Sequence, residues 1–356
     1  MYKCFRQSQC ISSLSKAILL CSSAFLVLAA PTITELSASK VLAENVNVVS
    51  QNLEAASFFQ QGVMRYNRRN LQGAESAFRQ ALQLDPNIAL ARTYLGNIML
   101  EQNRLEPAVQ EYAEAIRLNP NFGETHYNLG LALHKQGQSE AAITAYRQAL
   151  VINPTMASAQ YNLGLALYQK GQMEEAIAAY QQAVNLDSTN ADAYFNLAIV
   201  LQEQGQMEEA IAAYRHAIKL NPKNAWAYNN MGSLLALQGQ TSDAVATYQE
   251  AIRSLPKNAE AYYNLGVTWY NQGEFKKANS AFKHARHQYR EQGNAEQANK
   301  IEQLMQKIAQ IQGQKQPQVS QTSPAQTPVN TKEQADPEDI PFSLAPVLFP
   351  VGESGE

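Results

Sequence analysis

The sequence predicts an all-α solenoid: seven helix–turn–helix repeats of 34 residues, closed by a C-terminal capping helix. Pro86, Pro120, Pro154, Pro222 and Pro256 fall on one 34-residue grid, and Ser188 fills the missing tooth. Glycine, alanine and aromatic residues recur in fixed register on that grid, and apolar residues within each block recur at helical spacing. Self-similarity at a period of roughly 20–50 residues marks stacked repeat architectures.

Composition narrows the function classes. Of the 356 residues, 45% are hydrophobic and 17% charged, which is ordinary for a folded chain and excludes a collagen or a wholly disordered protein. A net charge of −3 argues against nucleic acid, which needs a basic face. Cys4, Cys10 and Cys21 are the three cysteines, so nothing after them forms an intramolecular disulfide, a thiolate metal site or a cysteine nucleophile.

The first element is a targeting segment. Lys3, Arg6 and Lys16 precede an apolar run from Ala17 to Ala30, the pattern of a secretory signal peptide. Cleavage is expected after Ala43, giving a signal peptide over 1–43 and a linker over 44–54. The alternative is a membrane anchor at 17–33, although the run is short for the ~20 apolar residues of a span. Cleavage removes four basic residues and Glu35, leaving 24 basic and 30 acidic side chains, net −6, and no cysteine. The protein is expected in the periplasm or another extracytoplasmic compartment of a bacterium.

Seven blocks follow without insertion: 55–88, 89–122, 123–156, 157–190, 191–224, 225–258 and 259–292. In the third, His126, Leu129, Gly130 and Leu133 form one helical stripe. Gly137 ends that helix, because glycine takes the left-handed conformation without a Cβ clash. Gly171, Gly205, Gly239 and Gly273 repeat the stop. Ala142, Tyr146 and Ala149 form the inner stripe of the second helix, and Asn153-Pro154 closes the block, since proline cannot continue a helix. Gly62, Gly96, Gly130, Gly164, Gly232 and Gly266 share one position of the first helix. Ala74 to Ala278 share one in the second, next to the aromatic plugs Phe78, Tyr112, Tyr146, Tyr180, Tyr214, Tyr248 and Phe282. Small residues there let helix axes approach to about 8 Å.

This register of Leu-Gly, Ala, aromatic, Ala and Pro over 55–292 resembles the tetratricopeptide repeat (TPR) family. The resemblance implies helical hairpins stacked in a right-handed superhelix with a concave groove, and a protein-interaction role. The terminal repeats depart from the pattern: Arg69 replaces the turn glycine of block one, and Arg286-His287-Gln288-Tyr289-Arg290 ends block seven without Asn-Pro. Ala298, Ile301, Leu304, Met305, Ile308 and Ile311 then form one face of a capping helix within 293–312. Seven of the fourteen prolines lie in 317–350, so 313–356 reads as a flexible tail. Its apolar segment 340–351 suggests a docking motif for the protein's own groove or a neighbour's, and hence self-association.

The first helix of each block also carries a second face, at positions two, five, six, nine, twelve and thirteen. In the TPR family that face lines the concave surface. Here it holds Asn128, Asn162, Asn196, Asn230 and Asn264, one per block. An amide has a donor and an acceptor, so such a row can grip a peptide backbone without reading side chains. It resembles the asparagine ladder in the TPR part of eukaryotic O-GlcNAc transferase. In the competing reading the amides bond only to neighbouring helices. Phe59, Tyr127, Tyr161, Phe195 and Tyr263 lie beside the row, with Tyr66, Tyr168 and Tyr270 a few residues on. They offer contact area at low entropy cost, or else pack between repeats. Glu101, Glu124, Asp192, Glu203 and Glu260 face Lys135 alone, so the expected partner is a neutral to mildly basic polypeptide rather than an acidic tail.

No reaction centre is evident. The five histidines lack the carboxylate or thiol partners of a metal set, and there is no phosphate-binding glycine loop or nucleophile elbow. Glu174-Glu175 and Glu208-Glu209 suit helix N-termini. The expectation is a non-catalytic scaffold with no cofactor, no metal and no nucleic-acid partner. Membrane contact is expected only through an uncleaved N-terminus. The alternative is an assembly or chaperone-like factor for envelope or photosynthetic-membrane complexes.

Overall fold

A computed structural model describes residues 53–314. The signal segment, most of the 44–54 linker, and the tail from residue 315 with its 340–351 segment lie outside the described residues, and the last helix runs two residues past the expected 293–312. The described residues are helical, with no strand among them, and fall into two compact units divided after Leu186.

The first unit holds four hairpins: α1 (Leu53–Asn67) with α2 (Leu71–Leu84), α3 (Ala89–Glu101) with α4 (Leu105–Leu118), α5 (Gly123–Lys135) with α6 (Ser139–Ile152), and α7 (Ala157–Gln169) with α8 (Met173–Leu186). The second holds α9 (Ala191–Glu203) with α10 (Met207–Leu220), α11 (Ala225–Leu237) with α12 (Thr241–Ser254), and α13 (Ala259–Asn271) with α14 (Phe275–Glu291). Helix α15 (Ala295–Gln314) follows. Within each unit every helix packs on its chain neighbours, and first helices of successive hairpins also touch, as α3 does α5 and α11 does α13.

The packing explains the glycine register. A Cβ on Gly130 would lie 2.5 Å from Cε1 of Tyr146, and one on Gly96 the same distance from Cε1 of Tyr112. At these positions glycine leaves room for the ring of the second helix, more than for the backbone approach that the sequence suggests. Those rings are fully buried, as are Ala74, Ala108, Ala142 and Ala176 beside them. Repeat five has Ala198 at the glycine position and keeps an equally buried Tyr214.

The turns inside the hairpins need a left-handed residue. Gly137, Gly171, Gly205, Gly239 and Gly273 have φ of +73° to +76°. Arg69 and Asn103 take the same role in the first two repeats, at φ 61° and 58°. Helix α15 covers the end of the second unit: Ile301, Leu304 and Ile308 are buried in a cluster with Val267, Ala278, Phe282 and Ala285.

Candidate functional site

The candidate site is the face of the first helices that carries positions two, five, six, nine, twelve and thirteen. Ring packing fixes the aromatic residues of that face. Tyr127 lies 6.0 Å from Tyr146 between ring centroids, and Tyr161 lies 6.0 Å from Tyr180. In the second unit Phe195 is 5.9 Å from Tyr214 and Tyr263 is 6.0 Å from Phe282. Each of the four rests one side on the plug of its own repeat and is half-buried, as is Tyr168.

The amides divide into two groups. Asn128 and Asn162 are half-buried. Asn128 donates its Nδ2 to Asn97 Oδ1 at 3.0 Å, and Asn162 donates to Tyr127 Oη at 3.2 Å and to the Ser158 carbonyl at 2.9 Å. Each therefore ties its repeat to the one before it, and no donor among the described residues reaches either Oδ1. Asn196 is also half-buried. Asn230 and Asn264 differ from the expected ladder: they are only 2% and 7% exposed. Asn230 donates to Tyr214 Oη at 3.1 Å, which in turn donates to Gln202 Oε1 at 3.1 Å. That buried chain crosses from repeat six to repeat five and is structural. At Asn162 the expected two-way grip on a backbone becomes a one-way grip, because both amide N–H bonds are engaged and only the carbonyl oxygen remains, whereas Asn128 donates once and keeps a second N–H beside its open oxygen.

A polar residue at position nine partners the buried phenols of repeats two and six. Tyr112 donates to Asn97 Oδ1 at 2.8 Å, and Tyr248 pairs with Ser233 Oγ at 3.1 Å. Repeats three and four have Leu131 and Leu165 there, and the hydroxyls of Tyr146 and Tyr180 have no partner among the described residues. The polar residues at Asn97 and Ser233 were the sequence signal for this difference.

The carboxylates of the face are unequal. Glu101 accepts from Tyr66 Oη at 2.6 Å and pairs with Arg69 at 3.0 Å. Glu124 and Glu260 have no ion pair among the described residues. Burial pushes both carboxyls up, Glu260 to about 7. Unpaired, partly desolvated carboxylates favour a cationic neighbour. Among the described residues no group of three or more His, Cys, Asp or Glu is placed to hold a metal ion, and no helix is long and apolar enough to cross a membrane. His284 stacks on Tyr262 at 5.1 Å.

Stacked helical hairpins with rows of side chains on one face define a helical-repeat protein. A tetratricopeptide repeat model matches residues 59–121. A second model, described as the Cilia and flagella-associated protein 70 C-terminal domain, matches residues 91–304, more than half of the chain. The chain belongs to the tetratricopeptide repeat family, whose members bind protein or peptide partners and are in general non-catalytic.

Among solved structures, the C-terminal part of a TPR repeat-containing protein from Cytophaga hutchinsonii is 17% identical with a TM-score of 0.57, covering 64% of this chain and 93% of that one. Pseudomonas aeruginosa pilF is 21% identical with a TM-score of 0.50, covering 58% and 95% respectively. YrrB, a TPR protein described as having an unusual peptide-binding site, is 25% identical with a TM-score of 0.47, covering 53% and 97%. The first two share the fold. No curated protein matches the sequence.

Proposed function

We propose that this protein is a non-catalytic scaffold whose repeats bind an extended, neutral to mildly basic polypeptide along the face of their first helices. The observation that carries the reading is the pair of open amide oxygens at Asn128 and Asn162, at one position of successive repeats and flanked by half-buried Tyr127 and Tyr161. Carbonyl acceptors at one repeat's spacing suit the N–H groups of an extended chain, and tyrosine rings add contact area at low entropy cost. The unpaired Glu124 and Glu260 favour a partner with basic residues. Tyr168, Asn196, Phe195 and Tyr263 extend the face within their own units.

Export is part of the proposal and rests on the basic start and apolar run of residues 1–43. Self-association through 340–351 rests on that segment's uncharged sequence.

The test is affinity capture with the full chain, comparing wild type with a variant carrying Asn128→Ala, Asn162→Ala and Asn196→Ala together. Polypeptides retained by wild type and lost by a variant with unchanged circular dichroism support the proposal. Identical retention by both overturns it.

A further inference from the structure

In the first unit a buried phenol and a half-buried carboxylate stand on the two sides of one inter-repeat seam, each without the partner its chemistry requires. Tyr94 stands at position six of repeat two, where later repeats have asparagine. Its ring stacks on Phe78, with centroids 5.1 Å apart and planes 9° apart, and meets Tyr66 edge-on at 5.4 Å. The residue is 4% exposed, and its hydroxyl has no hydrogen-bond partner among the described residues. Glu124, at position two of repeat three, is half-buried and without an ion pair among the described residues. Its charge acts on Tyr94, adding to the burial that raises the phenol. A hydrogen bond fixes the seam between them: Thr93 Oγ1 and Thr125 Oγ1 are 2.9 Å apart. Those threonines immediately precede Tyr94 and follow Glu124. Burial pushes the Glu124 carboxyl up, as an uncompensated charge in a partly dry site requires.

A neighbouring seam of the same unit shows how such a pair is completed. Tyr66 donates to Glu101 Oε1 at 2.6 Å, while Arg69 Nη1 donates to Glu101 Oε2 at 3.0 Å. Phenol and guanidinium divide the two carboxylate oxygens, and charge-assisted bonds of this kind are the strong ones. Tyr94 and Glu124 supply a phenol and a carboxylate from adjoining repeats, not hydrogen-bonded to each other, and no cation is supplied by the described residues.

We propose that Glu124, backed by Tyr94, is a receptor for one guanidinium or ammonium side chain of the bound polypeptide. The Tyr94 hydroxyl turns to one carboxylate oxygen and the incoming cation takes the other, as Arg69 does at Glu101. Glu124 is the binding group and Tyr94 the positioning group. The subsite rests on the scaffold reading and gives it a side-chain preference that the amide row lacks.

The experiment uses the full chain labelled with 3-fluorotyrosine, with the Tyr94 resonance assigned from Tyr94→Phe. N-acetyl-L-arginine amide is titrated against N-acetyl-L-glutamine amide. The arginine probe should shift the Tyr94 line saturably, and the glutamine probe should not. Glu124→Gln, which keeps shape and loses charge, should weaken the arginine probe by about tenfold or more, whereas Glu101→Gln should leave it unchanged. No saturable shift, equal shifts from both probes, or undiminished binding by Glu124→Gln overturns the proposal. If Asn-dependent capture succeeds while the arginine probe fails, the subsite falls and the scaffold stands. If the probe binds at Glu124 while capture is independent of the asparagines, the scaffold falls and the subsite stands.

Discussion

Replacing Gly130 by alanine sets two effects of known direction against each other. An added Cβ would lie 2.5 Å from Cε1 and 2.6 Å from Cδ1 of Tyr146. That is about 1 Å inside the ~3.5–4.0 Å at which carbon atoms attract. Tyr146 is fully buried, so its ring can retreat only by displacing its neighbours. Overpacking of this kind destabilises by about 1–3 kcal/mol. Alanine also favours the helix over glycine by about 1 kcal/mol. The expected net effect is a loss of about 0–2 kcal/mol. In a Tyr146→Ala background the ring is gone, and the same substitution should stabilise by about 1 kcal/mol. The double-mutant coupling should therefore be about 1–3 kcal/mol. Native-state hydrogen exchange in α5 and α6 is the assay, because a repeat array opens locally. Equal effects of Gly130→Ala in both backgrounds would refute the claim that the glycine exists to admit the ring.

Other perturbations separate packing from electrostatics. Gly137 has φ +76° and no atom within 4 Å of an added Cβ, so Gly137→Ala should cost about 1–2 kcal/mol through backbone strain alone. Gly137→Asn should cost less in the same urea titration, as Asn103 already fills that turn position in repeat two. Asn230→Ala should destabilise the second unit by about 1–3 kcal/mol, because it removes a buried hydrogen bond, whereas Asn162→Ala should cost less than about 1 kcal/mol; hydrogen exchange within each unit distinguishes them. Burial raises Glu260 from 4.5 to about 7, so the folded second unit holds this proton more tightly than the unfolded chain does. Its stability contribution is complete below pH 4.5 and is lost as pH rises through about 7. Glu260→Gln should therefore stabilise that unit at pH 8 by at most about 3 kcal/mol and leave it little changed at pH 4, as read by urea unfolding at both values.

Much of the fold was written in the 34-residue register. Pro86, Pro120 and Pro154 close hairpins, and Gly137 and Gly171 turn them, because those backbone constraints are local and hence visible in sequence. The role of Gly130 was half legible. Its smallness was plain, but that Tyr146 and not a neighbouring backbone fills the space depends on where the second helix lies. The amide row was found by periodicity and its chemistry was not. Asn162 lends its N–H to Tyr127, and Asn230 lies under cover with Tyr214 and Gln202, through contacts that run between repeats. Tyr94 interrupts the asparagine row, and in the sequence Glu124 is one acidic residue among the five of that face. Their placement on the two sides of one seam follows from the Thr93–Thr125 bond, which links residues 32 apart in the chain. Arg69 departs from the turn glycine, but its bond to Glu101 joins residues 32 apart and depends on how the repeats stack.

The face that meets the partner can be read directly by photo-crosslinking from the full chain in its native cells. Benzoylphenylalanine would replace Ser158, exposed at position two on the candidate face of α7, or Gln148, exposed on the second helix α6. A polypeptide crosslinked from position 158 and not from position 148 is the result expected of a first-helix binding face. Crosslinks from 148 with none from 158 would place the partner elsewhere and contradict it.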